Sequence, residues 1–322
     1  MTLKTFHKQR SDLSLLSGLN FVEKRIYEFI KVDSSETMVY IVDRLFKLSS
    51  ILKIITIEVV ITMCLILFAY HRHVKYRLVL AANRDEFYDR PTAPMAYWKD
   101  HPAVLAGRDL KSMGTWMGVT RSGRIAAVTN YREPALQRPD APSRGNLISD
   151  YLIGDDTPDA YLRQVTERAT KFNGFNLLAG DTKALCYYSN RGGAPIRLEA
   201  GIYGLSNRLL NTPWPKVETG KSKLKSLIER QGDISADNIL DLLGSTSLFP
   251  DDQLPDTGVG IERERMLSPL FITSPDYGTR CSTLVTIDRS NKLKITEITW
   301  KSAKSKPMLK ATHTFEFTID QG

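Results

Sequence analysis

The hydrophobic pattern of the chain changes character at residue 63. Residues 1–62 are rich in Ile, Leu, Lys and Ser, with one glycine (Gly18) and no proline or tryptophan. Within them, Phe21, Ile26, Phe29 and Ile30 fall near helical spacing, which predicts an amphipathic helix over 21–32. Residues 54–70 form a nearly unbroken apolar run interrupted by Glu58. That run has two readings. As a membrane span it approaches the roughly 20 residues required, but Glu58 would then sit among apolar positions at a cost of about 2.5–3.5 kcal/mol. Divided at Met63, it becomes the end of a leader followed by a buried strand, Cys64-Leu65-Ile66-Leu67-Phe68-Ala69-Tyr70. His71, Arg72 and His73 then make the turn into a second strand over 76–82, a β-hairpin. The divided reading is preferred. A signal peptide is not expected, because the apolar segment starts far from Met1 and lacks a small-residue cleavage pattern.

Beyond residue 63 the pattern mixes strands and helices. Residues 123–130 read as a strand ending in polar residues, and Ser143 or Asn146 is placed to cap a helix running through Tyr151. Thr157-Pro158 opens another helix in cap-then-proline order, to about Lys171. Strands are expected over 176–179, 185–189 and 202–206, then helices over 215–230 and 235–243. A loop rich in Asp and Pro spans 249–260. The chain ends in strands over 282–288, 293–300 and 313–318, with Ser290-Asn291 as a hairpin turn. Strands at both ends with helices between predict an α+β fold, not alternating βαβ units. No internal repeat is visible.

Composition narrows the function classes. The 322 residues are 42% hydrophobic and 25% charged, ordinary for a globular protein with a substantial core. The three cysteines, Cys64, Cys186 and Cys281, are widely spaced and odd in number, so they spell neither a disulfide framework nor a zinc site. A reducing compartment is the simpler assumption. The net charge of +8 is spread among acids. The short run Lys221, Lys223 and Lys225 reads as a solvated helix face. No zinc finger, basic helical region or RNA-binding aromatic signature occurs, so nucleic acid is not an expected partner.

The most informative segment is Met63-Cys64 followed by Asn83-Arg84-Asp85-Glu86. Further matches follow in order: Gly114-Thr115-Trp116-Met117-Gly118-Val119, Thr129-Asn130-Tyr131-Arg132, Ser143-Arg144-Gly145 and Gly174-Phe175-Asn176-Leu177-Leu178. Later come Gly204-Leu205-Ser206-Asn207, Thr212-Pro213-Trp214-Pro215-Lys216 and Tyr277-Gly278-Thr279-Arg280-Cys281-Ser282-Thr283. On these motifs the chain resembles the NRDE family, also called the Transport and Golgi Organization family, from Met63 nearly to the C-terminus. The resemblance divides the chain into a leader or mis-assigned extension (1–62) and one domain (63–322). It implies a fold similar to N-terminal-nucleophile hydrolases, a four-layer αββα sandwich of two antiparallel sheets covered by helices. Families with that layout, such as choloylglycine and penicillin V acylases, cleave amide bonds with a cysteine exposed at the mature N-terminus.

What the resemblance implies residue by residue is a catalytic set. Cys64 is the nucleophile, and its own α-amine, with an ordinary value near 7.7–8.0, is the general base. Arg84 favours thiolate over thiol, and Asp85 holds the amine by a charge-assisted hydrogen bond. Asn130 and Asn207 match oxyanion donors, each typically contributing about 2.7–4 kcal/mol, and Arg280 matches a further active-site arginine. Each has a plainer reading. Cys64 is equally a buried thiol, Arg84 with Asp85 a structural ion pair, Glu86 a cap for the next segment, and Asn207 a turn residue. Trp116 and Trp214 read as packing residues rather than ligand stackers, and Cys186 and Cys281 as core.

A preceding peptide bond would deny Cys64 its base. Three resolutions stand: translation from Met63 with Met63 then trimmed, self-cleavage after Met63, or a silent domain tethered through 54–70. The first is preferred because Met63 sits where the family's own N-terminus falls. The expected function is that of an amidohydrolase-like enzyme acting on a carbon–nitrogen bond of a small-molecule amide. The runner-up, suggested by the family's link to Golgi organisation and to haem or lipid handling, is trafficking of an apolar ligand in the same pocket. His71, His73 and His101 are loose candidates for axial ligands, and no Cys-x-x-Cys-His run is present. A membrane-anchored structural protein is the third reading. The matched motifs require no cofactor or metal. A cytoplasmic location is expected, with membrane association as the alternative.

Overall fold

The computed structural model describes residues 63–301 and 308–320. The expected leader and its 21–32 helix lie outside the described residues. Strand β1 (Met63–Tyr70) pairs antiparallel with β2 (Tyr76–Phe87), as the hairpin pattern predicts. Pleat alternation explains why β1 reads as an unbroken apolar run. Ile66 and Phe68 face one core with Leu78, Leu80 and Ala82, whereas Leu65, Leu67 and Ala69 face another with Val79 and Ala81. A strand buried on both faces has no polar positions to show. The membrane-span reading of 54–70 therefore fails over its second half, which is a sheet strand. Among the described residues no helix is long and apolar enough to cross a membrane.

The remaining strands are β3 (Thr92–Tyr97), β4 (Val104–Asp109), β5 (Met117–Thr120), β6 (Ile125–Asn130), β7 (Phe175–Gly180), β8 (Leu185–Ser189), β9 (Ile196–Arg197), β10 (Gly201–Leu205), β11 (Tyr277–Asp288), β12 (Lys292–Lys301) and β13 (Met308–Thr318). One six-stranded sheet runs β10-β1-β2-β11-β12-β13 and one seven-stranded sheet runs β3 to β9 in chain order. Every strand pairing is antiparallel. The sheets pack face to face through Ile66, Phe68, Met117, Val119, Leu178 and Val285. Helices α1 (Gly145–Ile153) and α2 (Pro158–Arg168) cover the outer face of the seven-stranded sheet through Leu147, Tyr151, Leu162 and Val165. Helices α3 (Pro215–Glu229) and α4 (Asn238–Leu243) cover the other sheet through Val217, Leu224, Ile239 and Leu242. The fold is thus α+β, in four αββα layers, as expected. Each fully buried large apolar side chain contributes about 1.5–3 kcal/mol relative to exposure.

Several boundaries differ from the pattern reading, each for a local reason. Arg144, not Ser143 or Asn146, is the residue ahead of α1, and Ser143 instead accepts the Gly145 N–H. The helix opened by Thr157 stops at Arg168 and closes in a 3-10 turn, Ala169–Lys171. Helix α4 begins three residues late, because the Asn238 side chain accepts the Ser235 N–H and holds a turn there. Gly123 is a turn residue with φ +82°, so β6 begins at Ile125. Strand β2 runs on through Asn83-Arg84-Asp85-Glu86, and β11 starts at Tyr277. Strands β3 to β5 and the short helix α5 (Ile261–Leu267) carry little periodic signal, being short and interrupted by Pro94, Gly107 and Gly118.

Candidate active site

The register of three neighbouring strands builds the site. On β1 and β2, Cys64 stands opposite Arg84; on β2 and β11, Arg84 stands opposite Cys281. All three share the parity of Ile66, Ala82 and Val285, which face the space between the sheets. Arg280 is the extra residue of a β-bulge between Thr279 and Cys281, a device that re-aims a side chain. Cys64 is buried, and burial pushes its thiol up to about 12. The Asp85 carboxylate pushes the same way, whereas the Arg84 guanidinium and the Asp85 backbone amide pull it down.

Asp85 stands opposite Met63. Its Oδ1 accepts the Thr279 hydroxyl at 2.6 Å, and its Oδ2 is buried without a hydrogen-bond partner. Burial raises this carboxyl to about 6 against the pull of Lys216, the Thr279 hydrogen bond and Arg84. The expected Arg84–Asp85 ion pair is not what forms. Arg84 Nη2 meets Glu86 Oε2 at 3.4 Å, and Arg84 Nη1 is buried without a partner. Glu86 does cap the following segment, its Oε1 accepting the Phe87 N–H at 2.9 Å.

Met63 is fully buried among Leu267, Ile272 and Tyr277. Its N–H donates to the Tyr277 hydroxyl at 2.6 Å, and Arg132 Nη2 donates to its sulfur at 3.2 Å. Arg132 forms a buried ion pair with Glu264 of α5 and lies 4.7 Å from the Trp214 ring centre. Lys216, in the first turn of α3, is only 3% exposed and donates to the Leu267 carbonyl at 2.9 Å. Burial lowers its ammonium to about 8; Arg132 acts the same way, and Asp85 and Cys64 oppose. Arg144 donates to the Gly174 carbonyl at 3.0 Å, and burial lowers it to about 10 against the charges of Glu86 and Cys64.

Asn207 is fully buried just beyond β10, two residues past the strand's end, and its amide donates to the Asn130 carbonyl at 2.9 Å. The Ser206 hydroxyl lies 3.2 Å from the Cys64 carbonyl and 3.0 Å from Asn207 Oδ1, which ties both asparagines to the strand that carries Cys64. Arg280 sends Nη1 to the carbonyls of Phe87 and Arg90, at 2.6 and 3.1 Å. Four of the six expected residues, Cys64, Arg84, Asn130 and Asn207, are thus linked by register or hydrogen bonds, and Asp85 follows Arg84 on β2 with its side chain on Thr279. Arg280 joins them through the bulge beside Cys281.

Other expectations sort plainly. Cys186 is a core thiol under α2. Cys281 is buried but stands in the site row, not in a separate core. Trp214 packs, as expected, in the core under α3. Trp116 packs against both cores and also lines a cavity beside Arg84. His71 and His73 lie in the β1–β2 turn, at the far end of β1 from Cys64, and His73 Nδ1 is occupied by the N–H groups of Lys75 and Tyr76. His101 sits in the connection between β3 and β4. These three do not converge on the site. Lys221 and Lys225 pair with Glu218 and Glu229, as a solvated helix face does. Among the described residues, no group of three or more His, Cys, Asp or Glu is arranged to hold a metal.

Lys216, Arg132, Arg144 and Tyr277 escaped the sequence reading although each lies inside a matched motif. The signal was present in the charges of Lys216, Arg132 and Arg144, but burial was not visible. Glu264 lies outside every motif.

A family profile described as "Transport and Golgi organisation 2" matches residues 63–302. The "Transport and Golgi organization protein 2 homolog" of Bos taurus is 38% identical over 277 residues, covering 80% of this chain and 99% of that protein. The Drosophila melanogaster "Transport and Golgi organization protein 2" is 28% identical over 265 residues, covering 74% and 92%. Among solved structures, a Caenorhabditis elegans N-acylethanolamine-hydrolyzing acid amidase ortholog aligns at 12% identity and TM-score 0.39, covering 69% of this chain and 92% of that one. A mutant conjugated bile acid hydrolase from Clostridium perfringens aligns at 8% identity and TM-score 0.33, covering 81% and 99%. Superpositions this loose add nothing to the layer order described above. On the profile and the cattle relative, the chain belongs to the Transport and Golgi organisation 2 family.

Proposed function

We propose that the protein is a cysteine N-terminal-nucleophile amidohydrolase acting on the carbon–nitrogen bond of a small amide. The observation that carries this reading is the buried, unpartnered Oδ2 of Asp85, a carboxyl opposite Met63 whose charge reaches Cys64. A buried carboxylate oxygen without a donor is costly. Loss of the Met63–Cys64 peptide bond would turn the Cys64 nitrogen into an amine, the donor that Oδ2 lacks.

In that form the amine takes the Cys64 thiol proton and the sulfur attacks the substrate carbonyl carbon. Arg84, directly opposite, stabilises the thiolate. Asn130 and Asn207, fixed to each other beside β1, are the oxyanion donors. The α-ammonium returns its proton to the departing amine, leaving a thioester on Cys64. Water, deprotonated by the α-amine, then attacks the thioester, releases the acid and restores the thiol. With Met63 still attached the nitrogen is an amide and no base is present.

The test is site-resolved labelling with an amide-derived thiol probe on protein whose N-terminus is Cys64. Labelling at Cys64, and none in Cys64→Ser, supports the reading. Equal labelling of protein that retains Met63 would remove the α-amine from the mechanism.

A further inference from the structure

Next to the nucleophile's row lies a cavity of about 100 Å³, bounded by Arg84, Trp116, Arg280, Glu297, Thr299 and Lys310. Two of its wall residues carry buried hydrogen-bonding atoms without partners, Arg84 Nη1 and Thr299 Oγ1. Orphaned polar atoms in a native fold are uncommon and call for an explanation. Here the two residues that carry them line one cavity, and each atom can donate. Two irregularities frame it, the bulge at Arg280 and the register shift between Thr299 and Trp300.

We infer that this cavity is a subsite for a carboxylate carried by the substrate, so that the amide cleaved bears a carboxylate group. The inference rests on the amidohydrolase reading and specifies its substrate. Arg84 Nη1 and Thr299 Oγ1 supply two donors, and Arg280 and the exposed Lys310 add positive charge at the wall. The acid on the wall, Glu297, has Oε1 committed to the Met95 N–H at 2.8 Å, and burial pushes its carboxyl up, towards the neutral form. The volume exceeds that of one water several-fold, which leaves room for an oxyanion and its first carbons. Because Arg84 also stands opposite Cys64, the anionic group would be anchored within a short chain's reach of the sulfur.

The test is calorimetric titration of the full chain with hexanoate, hexanamide and inorganic phosphate. Hexanoate should bind about tenfold or more tighter than hexanamide, as charge-assisted hydrogen bonds require. Thr299→Val should lose several-fold in hexanoate affinity at unchanged melting temperature, and Arg84→Met should abolish the preference for the acid. Equal binding of acid and amide, or binding of none of the three probes, overturns the inference. Phosphate binding as tightly as hexanoate assigns the cavity to a free anion and overturns its substrate role. The amidohydrolase reading fails separately. If hexanoate binds but Cys64 never acylates in protein whose N-terminus is Cys64, the subsite stands alone; if that protein cleaves neutral amides as fast as anionic ones, only the subsite falls.

Discussion

Arg84 faces Cys64 directly across the β1–β2 ladder, and its guanidinium works against the burial that holds the thiol up. Replacing it with methionine keeps the apolar stem and removes the charge. The Cys64 thiol should then move further up, and alkylation of Cys64 at neutral pH should slow by at least about tenfold, with its pH profile displaced to the alkaline side. Site-resolved iodoacetamide kinetics measure this. An unmoved profile would mean that Arg84 does not act on the sulfur.

Lys216 sets the protonation of Asp85. Its ammonium is the strongest charge lowering a carboxyl that burial raises to about 6. In Lys216→Met the Asp85 value should rise further. Activity that needs ionised Asp85 exists above that value and disappears as pH falls, so the acid limb of the rate profile should move to higher pH. Stability obeys the opposite sign for this residue. A carboxyl raised from 3.8 to about 6 on folding holds its proton more tightly in the folded state. Its contribution is therefore most favourable below 3.8 and declines as pH rises through about 6. Asp85→Asn should remove that slope from stability measured against pH.

The buried Arg132–Glu264 pair should cost more to break than to replace. Glu264→Leu leaves a guanidinium unpaired in the interior, for a loss of about 3–5 kcal/mol in denaturant unfolding. Arg132→Met combined with Glu264→Leu should lose less than Glu264→Leu alone. A double variant that loses the sum of the singles, or more, would contradict the pairing.

Gly220 lets α3 approach the strand that carries Cys64. A Cβ there would stand 2.6 Å from Leu67 Cδ1. Gly220→Ala should destabilise by about 1–3 kcal/mol through overpacking, despite the roughly 1 kcal/mol that alanine gains in helix propensity. Adding Leu67→Val should recover part of the loss.

Much of this was legible in the chain. Strand β1 betrayed itself by a run apolar at every position, and Thr157-Pro158 marked the start of α2 because proline suits a first helical turn. The ordered motifs gave the family and the position of Cys64 beside Arg84 and Asp85. What stayed hidden depends on distance between segments. Lys216 reads as one more surface lysine until α3 is laid against β1. Cys281 reads as core until β11 is placed in register with Arg84. Glu297 and Thr299 sit in an ordinary strand pattern, and only the meeting of β11, β12 and β13 with Arg84 turns them into the wall of a cavity. Arg280 matched a motif, but the bulge that aims it has no sequence signature of its own.

The measurement that bears most directly on the mechanism is the intact mass of active protein isolated from its natural host. The expected result is a polypeptide beginning at Cys64, with a free amine beside the sulfur. Active protein in which Met63 remains joined to Cys64 would contradict it.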